Sequence, residues 1–348
     1  MNTRTHLVKS ITALCTLLLI TVANLCHGAP SLSFAGELDS FLSYYKPAGD
    51  KDAKSLTGLE SNDFTTSYLG VHGSHELESG LTAIGSLEMF LRPDSGELGR
   101  FEGDIMFARA ANVGLKGDFG QFTVGRNASL YFLSTILFNP FGDSFSFSPM
   151  VLMSFGGGGL YGDSGWSNSL VYSTPTIGGF TTSFAYAFGE KAGDSSVNKI
   201  AANTFYKSGD FGFTAAVQKI SGPQAGATGL GIDDEQTAGI LGVSYALGGT
   251  TLYAQYQNMS DDFASGDKDR DTFVLSASIP VGKGASLLGA GLTKTSTDAD
   301  DYDRSIYTIM YDLPLSKQLE LYAGFTTDDP DNVEQTGRTL GLGGRFRF

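Results

Sequence analysis

Apolar and polar residues alternate with a period of two along most of this chain. Between positions 32 and 42, Leu32, Phe34, Leu38 and Leu42 share one face, while Ser33, Glu37 and Asp39 share the other. A two-residue period is that of a β-strand with unlike faces. The pattern returns at Leu69, Val71 and Gly73 against Gly70, His72 and Ser74, and at Ala83, Gly85, Leu87 and Met89 against Thr82, Ser86 and Glu88. It recurs at 180–188, 211–220, 239–247, 251–259, 272–280, 285–295, 305–313, 319–327 and 338–348. The whole chain accommodates about sixteen such strands, each of about ten residues.

The connections alternate as well. Tight turns fall at 75–80, 117–120, 207–210, 248–249, 282–284 and 315–318. Long polar segments lie between them at 46–63, 189–198, 221–235, 260–270, 296–303 and 328–335. Short turns on one rim and long loops on the other are the layout of an all-β, antiparallel transmembrane barrel. A soluble sandwich shares the period but has no need of this rhythm along the whole chain. No linker or composition shift interrupts it, so residues 29–348 are expected to form one barrel domain.

Residues 1–28 have a different character. Arg4 and Lys9 precede an apolar run from position 11 to 23, and small residues stand at Cys26 and Gly28. The run is too short for a membrane helix and suits a secretory signal peptide cut after Gly28. A lipoprotein reading of Cys26 is weaker, because Ala23-Asn24-Leu25 makes a poor lipidation box. Cys15 and Cys26, the only cysteines, leave with this segment, so disulfides are not expected to hold the exported fold together. The segment carries two of the 23 Lys and Arg and none of the 37 Asp and Glu, so its loss deepens the net charge of −14 by two. Such an acidic chain lacks the basic footprint of a nucleic-acid binder. The 46 Gly, 25 Phe and 15 Tyr against one Trp are a strand-and-turn composition. An exported chain without a membrane helix crosses a bilayer only as a closed barrel.

Four segments together resemble the Gram-negative general porins, the trimeric sixteen-stranded kind. They are YLGVHGSHELESGLTAI at 68–84, VGLKGDFGQFTVGR at 113–126, NSLVY at 168–172 and the terminal GRFRF at 344–348. The resemblance runs from about Ser31 to Phe348. It implies an outer-membrane location among lipid bilayer and lipopolysaccharide, a homotrimer, insertion by the barrel-assembly machinery, and passive passage of small solutes and ions without a cofactor. It also implies that the third long loop, from 127 to about 159 after Gly125-Arg126, folds into the lumen. Asn139-Pro140-Phe141-Gly142-Asp143 is similar to the family's loop tip, making Asp143 a constriction carboxylate. The terminal Phe346 and Phe348 would serve as an assembly signal for the closing strand.

The family's basic ladder opposite the loop is not matched. Glu37 stands where a lysine is common, Tyr68 and Ser173 where arginines are expected, and only Arg109 keeps its place. The expected pore constriction is therefore Asp143, Glu37, Asp39, Tyr68, Glu88, Arg109, Arg126 and Ser173. With acids in excess over the wall arginines, a narrow, low-dielectric passage should favour cations. The third loop is also unusually apolar, with Phe132, Leu133, Ile136, Leu137, Phe138, Phe145, Phe147, Met150, Val151, Leu152, Met153 and Phe155. One reading packs this face on the inner wall. The alternative is a channel selective for aromatic or amphipathic solutes.

Other signals carry less. Gly156–Gly159 lacks the Gly-Lys-Ser/Thr of a phosphate loop. Asp298, Asp300, Asp301 and Asp303 lack the glutamate that completes a calcium loop. His72 and His75, three apart on a strand, point to opposite faces, which is wrong for a shared metal. An outer-membrane hydrolase would need a nucleophile, a histidine and a carboxylate held together. A structural or adhesive surface protein is the remaining alternative.

Overall fold

The computed structural model describes residues 30–156, 159–189, 198–222, 234–297 and 301–348. The expected leader, with Cys15 and Cys26, lies outside the described residues. So do most of the segments 189–198 and 221–235, together with Asp298 and Asp300.

The described chain forms one closed antiparallel barrel of sixteen staves. The segments in order are β1 (Ser31–Lys46), β2 (Leu56–Ser61), β3 (Tyr68–Glu76), β4 (Thr82–Arg92), β5 (Glu97–Leu98), β6 (Ala110–Gly117), β7 (Gly120–Ala128), β8 (Gly165–Ser173) and β9 (Phe180–Phe188). They continue as β10 (Asn198–Ser208), β11 (Phe211–Ser221), β12 (Glu235–Leu247), β13 (Thr250–Asp262), β14 (Lys268–Val281), β15 (Gly284–Thr297), β16 (Tyr302–Pro314), β17 (Leu319–Pro330) and β18 (Gly337–Arg347). Two staves are interrupted. β2 and β3 pair with the upper and lower halves of β1, and β5 and β6 with the upper and lower parts of β4. The segment 46–63, read above as a loop, thus contains the strand β2, in which Leu59 stands opposite Leu42.

The alternating pattern sorts residues between two solvents. Leu32, Phe34, Leu42, Phe273, Leu275, Leu340 and Leu342 point outward, and Phe34 and Leu275 are each 67% exposed. Such exposure is costly in water and stabilising in hydrocarbon, which is why a closed barrel carries its apolar residues outside. The inner face holds Asn203, Thr214, Gln218, Gln236, Gln255, Gln257, Thr272, Thr293, Thr308 and Thr326, all buried. They are buried because a loop lies against them. No helix among the described residues is long and apolar enough to cross a membrane.

β1 and β18 close the cylinder in a register that runs from Glu37↔Arg347 to Lys46↔Arg338. Past the strand end, Gly36 and Phe348 exchange backbone hydrogen bonds of 3.0 and 3.1 Å. The Phe348 ring lies where a side chain at Gly36 would stand, and the Phe346 ring is 6.0 Å away. Both rings face outward. A Gly341→Val substitution, whose side chain would run into the Leu42 carbonyl and the Phe41 ring across this closure, is expected to destabilise the barrel by about 1–3 kcal/mol, the usual cost of overpacking. Loss of heat-modifiable gel mobility at a lower temperature than in the unaltered protein checks this.

Candidate channel constriction

The third long connection, 129–164, lies inside the barrel. It carries two helices of seven residues, about two turns each, α1 (Leu130–Ile136) and α2 (Pro149–Phe155). Local sequence starts both. The Ser129 and Ser148 hydroxyls accept hydrogen bonds from the Phe132 and Val151 amides, and Pro149 occupies the first helical position of α2. Short helices have as many unsatisfied end groups as long ones, and side chains of the loop and the barrel wall bond to the inserted segment, the last turn of α1 included. Gln255 Nε2 donates to the Thr135 carbonyl at 2.9 Å, Asn139 Nδ2 to the same oxygen at 2.9 Å, and Asn203 Nδ2 to the Leu130 carbonyl at 3.1 Å. Gln257 Oε1 accepts from Tyr131 Oη at 2.9 Å and Ser154 Oγ at 2.7 Å. Gln236 donates to the Gly159 carbonyl and accepts from the Tyr161 amide.

Glycines make room for this seat. A Cβ at Gly289 would stand 2.8 Å from Phe141, one at Gly324 would stand 2.6 Å from Phe147, and one at Gly291 would meet the Met153 sulfur at 2.8 Å. Part of the glycine excess is thereby explained as close approach of loop to wall. The loop tip is hooked on the other side. Thr65 Oγ1 donates to Asp143 Oδ1 at 2.6 Å and the Thr66 amide to Oδ2 at 3.1 Å. Both donors belong to the interruption between β2 and β3, which turns at Asn62 with φ of +72°.

Between loop and wall a cavity of about 430 Å³ remains. Its lining brings together Glu37, Tyr68, Glu88, Arg109 and Asp143 with Phe132, Leu133 and Ile136 of α1. Arg109 faces inward: its Nε is 2.6 Å from Glu88 and its guanidinium lies 4.0 Å from the centre of the Tyr68 ring. Glu37 contacts Arg347 at 2.9 Å and Arg345 at 3.3 Å, and both arginines also pair with Glu320. His72 faces inward beside Glu88 at 3.7 Å.

Three expected constriction residues stand elsewhere. Asp39 points inward as its parity requires, yet it is fully buried beneath the loop. It accepts from Tyr322 Oη at 2.8 Å among Phe41, Phe64 and Phe147, so it meets protein rather than water. Ser173 ends β8 at a tight turn, bonded to Ser183 at 2.8 Å. Arg126 is buried in a clamp at the outer end of the loop. There its Nη2 is 2.7 Å from Asp163, which also pairs with Arg100, itself 2.8 Å from Asp104.

Sequence reasoning missed Arg345, Arg347 and Glu320, so the wall is not without arginines. A signal existed. If Phe346 and Phe348 face outward, Arg345 and Arg347 must face inward on the same strand. The apolar loop divides in two. Tyr131, Phe141, Phe147, Met150, Val151 and Met153 are buried against the wall, whereas Phe132, Leu133, Ile136, Phe145 and Phe155 remain partly exposed in the lumen.

Residues 12–333 match the family model described as Gram-negative porin. The chain belongs to the Gram-negative porin family. It is 29% identical to outer membrane porin protein 32 of Delftia acidovorans over 84% of this chain and 82% of that protein. It is 24% identical to an outer membrane porin of Bordetella pertussis over 97% and 99% of the two chains. The anion-selective porin from Comamonas acidovorans shares the fold with a TM-score of 0.78 at 24% identity, covering 92% of this chain and all of that one. This porin is therefore an outer-membrane channel protein, with a cavity left between its inserted loop and the wall.

The outer clamp has a pH signature. Burial alone would raise the Asp163 carboxyl, but the hydrogen bond from Arg100 and the charges of Arg100 and Arg126 overcome it and hold it well below the usual carboxylate range. A carboxyl lowered in the folded state contributes stability above its unfolded value of about 3.9, and that contribution is lost as pH falls through the lowered folded value. Asp163→Asn is expected to lower thermal stability at neutral pH, with the deficit shrinking below about pH 4. Melting of both proteins across pH 2–7 measures it; a deficit independent of pH would exclude the clamp.

Proposed function

We propose that this porin is a water-filled diffusion channel for small hydrophilic solutes and ions with a weak preference for cations. The observation that carries this reading is the polar side of the constriction cavity. Glu37, Glu88 and Asp143 line it with Arg109, and Glu320, Asp312, Arg345 and Arg347 stand just behind. Carboxylates exceed guanidinium groups in this cluster, so the local potential favours a cation. The preference is weak because most of the carboxylates are paired within 4 Å, and the field of a close pair cancels over a short distance. The sign of selectivity belongs to these side chains rather than to the barrel, which a porin described as anion-selective shares.

The same reading includes removal of residues 1–28 and assembly of three copies. A detergent-solubilised mass of three chains, each beginning at Ala29, supports it, and a monomer or an intact leader contradicts it.

Reversal potential in a planar bilayer under a KCl gradient tests the selectivity. The unaltered channel is expected to favour potassium modestly, and Arg109→Gln to raise the potassium-to-chloride permeability ratio about two- to tenfold. A potential favouring chloride would falsify the cation preference. A purified protein that never conducts would remove the channel reading itself.

A further inference from the structure

The constriction has one polar side and one apolar side, and the apolar side is longer than packing requires. The wall contacts of the loop are made by its buried residues, Tyr131, Phe141, Phe147, Met150 and Val151 among them. Phe132, Phe155 and Phe145 are not part of that contact. Their rings follow one another along the lumen face, Phe132 to Phe155 at 5.4 Å and 85°, then Phe155 to Phe145 at 6.2 Å and 64°. Phe132 opens onto the constriction cavity. Phe145 and Leu152 open onto a second cavity of about 320 Å³ nearer the outer rim. The ring series therefore joins the two cavities. Apolar side chains left facing a water-filled passage mark a place of interaction.

The charges beside this track are mostly carboxylates. The outer cavity is lined by Glu60, Asp63 and Asp328 with Arg338, and the constriction by Glu37, Glu88 and Asp143 with Arg109. Arg109 makes a poor anion site, since Glu88 holds its Nε and the Tyr68 ring covers its guanidinium face. A solute complementary to both sides carries a ring or other apolar body on one side and a positive head on the other. Aromatic rings add attraction for a cation close to their faces.

We propose that small organic cations with an aromatic body bind along Phe145, Phe155 and Phe132 during passage, their charged heads directed to Asp143, whose carboxylate accepts from Thr65 and Thr66 and pairs with no arginine among the described residues. This rests on the channel reading above and names the solute class that the same constriction retains.

The test is interruption of single-channel KCl current in bilayers containing the purified full barrel. Three solutes are compared: phenethylammonium, protonated Tris as a ring-free cation, and phenylacetate as the same ring with opposite charge. Phenethylammonium is expected to block at a concentration about tenfold lower than either control. In the double variant Phe132→Ser, Phe155→Ser that advantage should fall about tenfold. Equal block by all three solutes, or stronger block by phenylacetate, overturns the solute class and leaves the channel standing. A track that blocks equally well after both substitutions overturns the role of the rings. Absence of any KCl conductance in the unaltered protein overturns the channel reading instead. If the double variant does not fold, the three-solute comparison on the unaltered protein decides.

Discussion

A loop that enters a barrel carries its backbone with it, and buried amides and carbonyls must find partners there. That requirement governs the inside of this porin. Gln236, Gln255, Gln257 and Asn203 are polar residues on strands, and each bonds to the inserted segment. Their side chains reach where barrel backbone cannot, because the strand amides and carbonyls are committed to the ladder. The glycines at 289, 291 and 324 serve the same seat by letting Phe141, Met153 and Phe147 approach the wall. A wall of larger residues would push the loop toward the open side and narrow the passage. The hook of Thr65 and Thr66 on Asp143 fixes the other edge of the loop, so the width of the opening is set from two sides.

Seating the loop also determines which charges meet solute. Inward-pointing side chains fall into two classes, those under the loop and those in the gap. Asp39 belongs to the first, held by Tyr322 in an aromatic cluster, while Glu37, two residues away on the same face, belongs to the second. The gap itself is asymmetric. Ion pairs occupy the barrel side, and the half-exposed face of α1 occupies the other.

The barrel was legible from period and turn spacing because both are local. The strands from Phe180 onward fall close to their expected positions, and the tight turns at 117–120, 248–249 and 282–284 lie where two strands pair directly. β2 was hidden because Leu56–Ser61 is short and sits in a polar stretch whose pairing with β1 is a matter of register rather than composition. At the constriction, residue parity was legible and burial was not. Alternation puts Asp39 and Glu37 on the inner face, but only the path of residues 129–164 decides which of them sees water. Arg345 and Arg347 follow from the outward direction of Phe346 and Phe348, but the basic ladder implied by the family resemblance lies at other positions on the wall. Arg126 was expected in the gap from its place beside the loop, yet its guanidinium turns to Asp163 and away from the cavity.

The inserted loop is divided into a wall-packed face and a water-lined face. The described residues hold no cysteine, so single cysteines at Phe132 and at Met150 report on the two faces separately. The decisive measurement is the change in single-channel conductance when a negatively charged, water-soluble thiol reagent is added to each variant. The division predicts a prompt conductance change for Phe132→Cys and none for Met150→Cys. Equal modification of both positions, or modification of Met150→Cys alone, would contradict it.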